Sequence, residues 1–366
     1  MGRLVFSRET YAESRRERGV ESDHGVTRKG EQQVKKTGKL SPLVDPAIDT
    51  LRRSMLRLDA TEDGKWEVTV GCPMDIEVSV DSTGSMGDNV DRAMAALPRT
   101  YELCAAMLPG YDPQLALGFF GDVCDEFVLN RPQFEMEADK IVGYLSEMNP
   151  ERNGGDVSED PQYSMFASAF LTSAFTNKIG LKGYYFMCTD APMHGTIYAD
   201  VLERVFGEKL WQALKDNGYD FNHLCRPDMD ETIKELLKKK HAFVLSIDAD
   251  NYYRQYFDGR IIPLRSTDYL PEFESAIIGI TEGVLEPEEV EDYLKSVKVP
   301  KKDIDKALDA LLSLPFGAQR ELEQQNKVYI PKAGDIFAKK IDIKPIAVHS
   351  EAKNTEPEED GTSVWL

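Results

Sequence analysis

Residues 75–88, DIEVSVDSTGSMGD, decide how this chain is read. IEVSV, at 76–80, is short and rich in β-branched residues, which suits a strand buried inside a sheet. It ends at an acid, Asp81, followed by two hydroxyl residues at alternate positions, Thr83 and Ser85, with Gly84 and Gly87 allowing a sharp turn. In an extended-to-turning loop these three oxygen-bearing side chains converge on one point. An all-oxygen set suits a hard divalent cation such as Mg²⁺. The same residues also serve ordinary turn and helix-cap chemistry, with Asp88 as N-cap of the next helix.

Outward from this strand, β-type runs alternate with helical patterns, the signature of an α/β fold with a doubly wound, mostly parallel sheet covered on both faces. Strands are expected at 75–80, 114–120, 183–188, 242–247 and 259–264, with one antiparallel edge strand at 125–128 hairpinned to the second. Helices are expected at 88–108, kinked by Pro98, and at 137–148, 163–176, 201–217, 230–239 and 271–282. After Gly283 the pattern becomes closely spaced helices without strands, at 287–297, 303–314 and 316–325.

The chain thereby divides into a polar, partly basic arm (1–41), a connecting segment (42–71), the α/β domain (72–283), a helical appendix (284–330) and an extended acidic tail (331–366). In the connecting segment the spacing of Ile48, Leu51, Met55 and Leu58 predicts one amphipathic helix. Val364, Trp365 and Leu366 are unusually apolar for a free tail, which suggests that they dock.

With 366 residues and 41% apolar content, the chain is long enough for a substantial core. A formal net charge of -20 argues against DNA, RNA and anionic membrane as partners, because the long-range field repels phosphate. Cys72, Cys104, Cys124, Cys188 and Cys225 are odd in number and scattered, so they read as small core residues in a reducing, cytoplasmic compartment. No apolar run is long enough to span a bilayer.

In an open parallel sheet, ligands bind outside the carboxyl ends of the strands where strand order reverses, so acids at strand ends matter most. Asp81 ends the first strand and Asp190, in GYYFMCTDAPMHG, ends a central one. The Gly-rich loop NGGDVSE, 153–159, brings Asp156 to the same edge. Three loops then supply Asp81, Thr83, Ser85, Asp156 and Asp190 as candidate metal-site residues.

These motifs resemble, in order, those of a von Willebrand factor A-type (vWA) domain carrying a metal-ion-dependent adhesion site. DSTGSM (81–86) is similar to the family's Asp-x-Ser/Thr-x-Ser loop, and LGFFGDVCDE (117–126) to its second strand and hairpin. NGGDVSED (153–160) and TDAPMHG (189–195) resemble motifs of the prokaryotic-type cytosolic branch. The resemblance spans about 72–283 and implies a Rossmann-like fold with Thr83 and Ser85 binding the cation directly. Asp81 and Asp190 then act through water and hydroxyl hydrogen bonds, and Asp156 fills the third-loop position, where integrin-like members carry Thr. It further implies Mg²⁺, with Mn²⁺ and Ca²⁺ as the other candidates, and a partner protein that presents an Asp or Glu. Similar domains work beside AAA+ ATPases or within larger assemblies.

The resulting expectation is a non-enzymatic scaffold or adaptor. Two alternatives stay open. A metal-dependent hydrolase has no general base or electrophilic Arg beside the motifs, although Arg152 and Arg265 are near in sequence order, and an RNA-associated vWA protein would bind through the basic arm. His194 reads as a loop-stabilising residue, the His223-x-Cys225 pair as a structural loop, and Asp122, Asp125 and Glu126 as a solvated edge.

Overall fold

The computed structural model describes residues 28–153, 155, 157–337 and 363–366. Its strands are β1 (Arg52–Ser54), β2 (Arg57–Ala60), β3 (Trp66–Val68), β4 (Cys72–Asp81), β5 (Tyr111–Phe120), β6 (Leu129–Asn130), β7 (Thr172–Ala174), β8 (Gly183–Thr189), β9 (Lys240–Ser246), β10 (Ile261–Pro263), β11 (Ile336–Phe337) and β12 (Ser363–Trp365). Three sheets result, and the largest runs β10-β9-β8-β4-β5-β6. All its pairings are parallel except β5 with β6. From β4 the chain moves outward to β5 and β6, then returns to β8 on the other side of β4 and continues to β9 and β10. Strand order therefore reverses between β4 and β8, and the carboxyl ends of those two strands lie side by side.

The period-2 alternation of strand residues sends side chains to two apolar layers. One layer holds Ile76, Val78 and Val80 of β4, Leu115, Leu117 and Phe119 of β5, and Ile277 and Ile280 of the helix Leu270–Thr281. The other holds Tyr185 and Met187 of β8, Ala242 and Val244 of β9, and residues of the helices Gln162–Phe170, Ala199–Phe206 and Met229–Lys239. The remaining positions of β4 are polar yet buried. Arg131 donates to Glu77 at 2.8 Å, Ser164 to Ser79 at 2.7 Å, and both Lys240 and Thr176 bond Asp75. Asp75, Glu77 and Ser79 thus each have a partner, which their desolvation requires.

The expected strands of the α/β region appear within a few residues, and Pro98 does interrupt its helix. Asp88–Ala96 and Thr100–Ala106 are joined there by a 3₁₀ turn at Leu97–Arg99. An unanticipated helix, Asp250–Phe257, separates β9 from β10.

Other expectations are corrected. The connecting segment 42–71 holds no long helix; it forms β1, β2 and β3. Ile48 is exposed, whereas Leu56 and Leu58, two apart, are both buried, so the period is that of a strand. Thr61 N donates to Lys65 O, closing a hairpin at Asp63-Gly64 with Gly64 at φ 75°. The helix expected over 163–176 stops at Phe170, because Thr172–Ala174 pairs with β1 as β7. That expected over 201–217 breaks at Gly207, whose φ of 75° leaves the helical region. The edge strand is Leu129–Asn130 rather than 125–128, because Asp122 and Asp125 tie the preceding residues into a turn.

At the amino side of β4 lies a four-stranded sheet in the order β11-β3-β2-β12. Its edge is the chain's last segment: Val364 pairs with Leu58, and Leu366 exchanges two backbone bonds with Leu56. The tail is therefore not wholly extended from the body. Residues 338–362 lie outside the described residues, as do 1–27 of the arm, and the described part of the arm contains the helix Lys29–Thr37. In the appendix, Val290, Leu294, Ile304 and Leu311 join the same apolar layer as β4 and β5. All five cysteines are free; Cys72, Cys104 and Cys188 are buried as core residues, whereas Cys124 and Cys225 are exposed. Among the described residues no helix is long and apolar enough to cross a membrane.

Candidate metal centre

Asp81 is the last residue of β4 and is fully buried. Its Oδ1 accepts from Thr83 Oγ1 at 2.6 Å and from Thr83 N at 2.9 Å. Its Oδ2 accepts from Thr189 Oγ1 at 2.7 Å, reaching across from the end of β8. Burial pushes the Asp81 carboxyl up to about 6, against the pull of these hydrogen bonds. One residue past β8, Asp190 accepts from Ser85 Oγ at 2.8 Å through its Oδ1. Loss of solvent raises the Asp190 carboxyl as well, while the Ser85 bond opposes the rise.

Two of the three expected loops thus meet as the sequence implied, and Asp81, Thr83, Ser85 and Asp190 form one hydrogen-bonded chain. The local backbone does not reduce to a capped turn. Gly84–Met86 is a 3₁₀ turn, Gly87 turns at φ 48°, and the helix begins at Asp88 with no side-chain cap. Helix-cap chemistry therefore does not account for the two hydroxyls.

Thr83 bonds Asp81 and Ser85 bonds Asp190, and Thr83 Oγ1 and Ser85 Oγ lie 3.2 Å apart. That separation is also hydrogen-bond length, and either hydroxyl can donate across it. Adjacent ligands of an octahedral Mg²⁺ at about 2.1 Å stand about 3 Å apart, so the two oxygens have the separation of a ligand pair.

The third loop is stitched to the first, since Arg152 N donates to Ser82 O at 2.9 Å and Gly84 N to Asn153 O at 2.6 Å. Asp156 lies outside the described residues. Another acid of this loop, Glu159, does reach the site. Glu159 N donates to Pro192 O at 2.8 Å and Glu159 O accepts from His194 N at 3.1 Å, which ties the loop to the segment carrying Asp190. Its side chain is 2% exposed, hydrogen-bonds Thr83, and leaves Oε2 without a partner among the described residues. Burial and the nearby Asp81 push this carboxyl up to about 8. The Thr83 hydroxyl opposes that rise.

Neither Glu159 nor Thr189 stands out as a site residue in the sequence alone. An acid in a Gly-rich loop reads as solvated, and a strand threonine as packing. A strand-end hydroxyl beside a site acid was the available signal for Thr189. Asp122 and Asp125, read as a solvated edge, are instead 3% and 4% exposed. They hold the turn after β5, with Asp122 N donating to Asp125 Oδ2 at 2.9 Å and Cys124 N to Asp122 Oδ1 at 2.9 Å.

His194 serves the loop: its Nδ1 lies 3.3 Å from Asp160 Oδ1. His223 Nδ1 lies 3.2 Å from Glu203 Oε1, and the segment around Cys225 is a turn closed by Asn222. Arg152 forms a two-pronged ion pair with Asp91 at 2.6 and 3.0 Å, and Arg265 lies 3.8 Å from Asp303.

Among the described residues no three His, Cys, Asp or Glu side chains are grouped closely enough to hold a metal by themselves. A cation at this edge depends on the hydroxyls. Two neutral hydroxyl oxygens, three nearby carboxyl groups and an unpartnered carboxyl oxygen are the donor chemistry of a hard cation, and the residues fit Mg²⁺.

No protein-family profile matches the chain, nor does any curated protein. Among solved structures it is similar to proximal thread matrix protein 1 from the mussel byssus, at 10% identity and a TM-score of 0.36. That match covers 57% of this chain and 48% of the mussel protein, so it spans about half of that protein's length.

Proposed function

We propose that this chain is a vWA-type protein whose doubly wound, Rossmann-like domain holds a Mg²⁺ at the carboxyl edge of β4 and β8, and that it works as a scaffold or adaptor. The partner is a protein that presents an Asp or Glu to the cation, such as a component of an ATPase-containing assembly. The observation that carries this reading is the pair of hydroxyls, Thr83 and Ser85, 3.2 Å apart and each bonded to a strand-end carboxylate, Asp81 and Asp190.

Asp81 and Asp190 orient the hydroxyls, and Thr189 locks Asp81 from the far side by taking up its Oδ2. Ser85 is exposed, so the edge of the site faces solvent and a partner's side chain has access. Bound at two neutral hydroxyls, the ion retains enough positive charge to attract a carboxylate. A cationic spot on a chain of net charge -20 also gives an acidic partner a reason to dock here and not elsewhere. Arg152 and Arg265, the arginines considered for a hydrolase, pair with Asp91 and Asp303, which favours adhesion.

The test is Asp81→Ala in the full chain. Mg²⁺ should raise the unfolding midpoint of the parent and leave that of the variant unchanged, and affinity capture from the native source should yield chelator-sensitive partners only with the parent. Equal Mg²⁺ stabilisation of both proteins would sink the proposal.

A further inference from the structure

We infer that Glu159 supplies the third-loop oxygen to the cation, as a direct carboxylate ligand beside Thr83 and Ser85; this rests on the metal-site reading above. The side chain is 2% exposed and Oε2 has no hydrogen-bond partner among the described residues. A buried, unpaired carboxyl oxygen is costly and calls for a partner. Its other contact is Thr83, itself a hydroxyl of the proposed shell, so the orphan oxygen belongs to the same cluster. The backbone of Glu159 is clamped between Pro192 and His194, and the same loop is bonded to Ser82 and Gly84. This fixes the residue against both metal-bearing loops, an arrangement that costs little reorganisation when an ion enters.

A carboxylate in the direct shell changes how the site behaves. It neutralises one of the two charges, strengthens retention of the ion, and weakens its attraction for an incoming acid. The ion is then resident in the chain before any partner arrives. A partner's carboxylate completes the shell without having to assemble it.

Glu159→Gln tests this, since an amide keeps the size and can donate to Thr83 while leaving a weaker, neutral oxygen. Calorimetric titration of the full chain with MgCl₂, with no partner present, should show affinity for the variant lower by about tenfold or more. The midpoint of metal-free unfolding should stay where the parent's is. If Glu159→Gln binds Mg²⁺ within twofold of the parent while Asp81→Ala abolishes binding, Glu159 is no ligand and the metal-site reading stands alone. If the parent binds neither Mg²⁺ nor Mn²⁺, the metal-site reading itself fails and takes this inference with it.

A second measurement needs no variant. With Mn²⁺ bound to parent protein labelled with ¹³C at the glutamate side-chain carboxyl, pulsed electron-nuclear double resonance should show a strong coupling from one directly bound carboxyl carbon. No such coupling from the Mn²⁺-loaded protein overturns the inference.

Discussion

At the scale of single residues, the site depends on where a few protons go. Thr189 illustrates this. Its hydroxyl donates to Asp81 Oδ2 at 2.7 Å and accepts from Ala191 N at 3.1 Å, so it holds both the acid and the start of the loop that carries Asp190. Thr189→Val keeps the shape and removes both bonds. The variant should fold, lose about 1–3 kcal/mol of stability by denaturant titration, and bind Mg²⁺ about tenfold more weakly by calorimetry. Unchanged Mg²⁺ affinity would show that Asp81 needs no support from β8. Asp81, Thr83, Ser85 and Asp190 were legible in sequence because acids and hydroxyls at strand ends have few structural uses. Glu159 was not, because the backbone bonds to Pro192 and His194 that bury it join segments about thirty residues apart.

At the scale of elements, the helix Leu270–Thr281 is buried along its whole length, yet it carries Glu272 and Glu274, and Glu282 caps its end. Burial pushes the carboxyls of Glu274 and Glu282 up to about 8, and the hydroxyls of Thr100 and Tyr184, which donate to them at 3.0 and 2.6 Å, oppose the rise. The free-chain value is 4.5. Between these values the folded state holds protons that the unfolded chain has released, so stability is full below the lower value and declines as pH rises through the upper one. Glu274→Gln should therefore match the parent's unfolding midpoint near about pH 5 and exceed it near about pH 8, as followed by thermal melts. A variant that falls with pH as steeply as the parent would show that Glu274 is already ionised. The parallel strands of this layer were readable because strands buried on both faces are compact apolar runs closed by Gly or an acid. Strands β1, β7 and β11, of two or three residues, are too short to show a period, and only their partners make them strands.

At the scale of the whole molecule, the small sheet joins parts far apart in the chain, since β2 lies between β3 and a strand some 300 residues later. Arg57 stacks its guanidinium 5.6 Å from the centre of the Trp365 ring, and Leu366 packs on the apolar layer shared with β4. Deleting 363–366 should lower the unfolding midpoint and speed amide exchange at Leu56 and along β2. It should leave Mg²⁺ affinity untouched, because Asp81 lies at the other end of β4, about 30 Å away. A change in Mg²⁺ affinity would reveal coupling along that strand.

By itself the sequence determined the alternation of strands and helices over 72–283 and the acids and hydroxyls waiting at the strand ends, because apolar periodicity and turn residues are local properties. The tertiary structure decided what depends on distant partners. It turned the helix expected over 42–67 into strands, docked the last residues of the chain, and buried Glu159 beside Thr83. It also brought Asp190 to Ser85 across 105 residues, so that two hydroxyls bonded to two acids stand side by side. Hydrogen bonds between remote segments have no periodicity to read, and they shape the site.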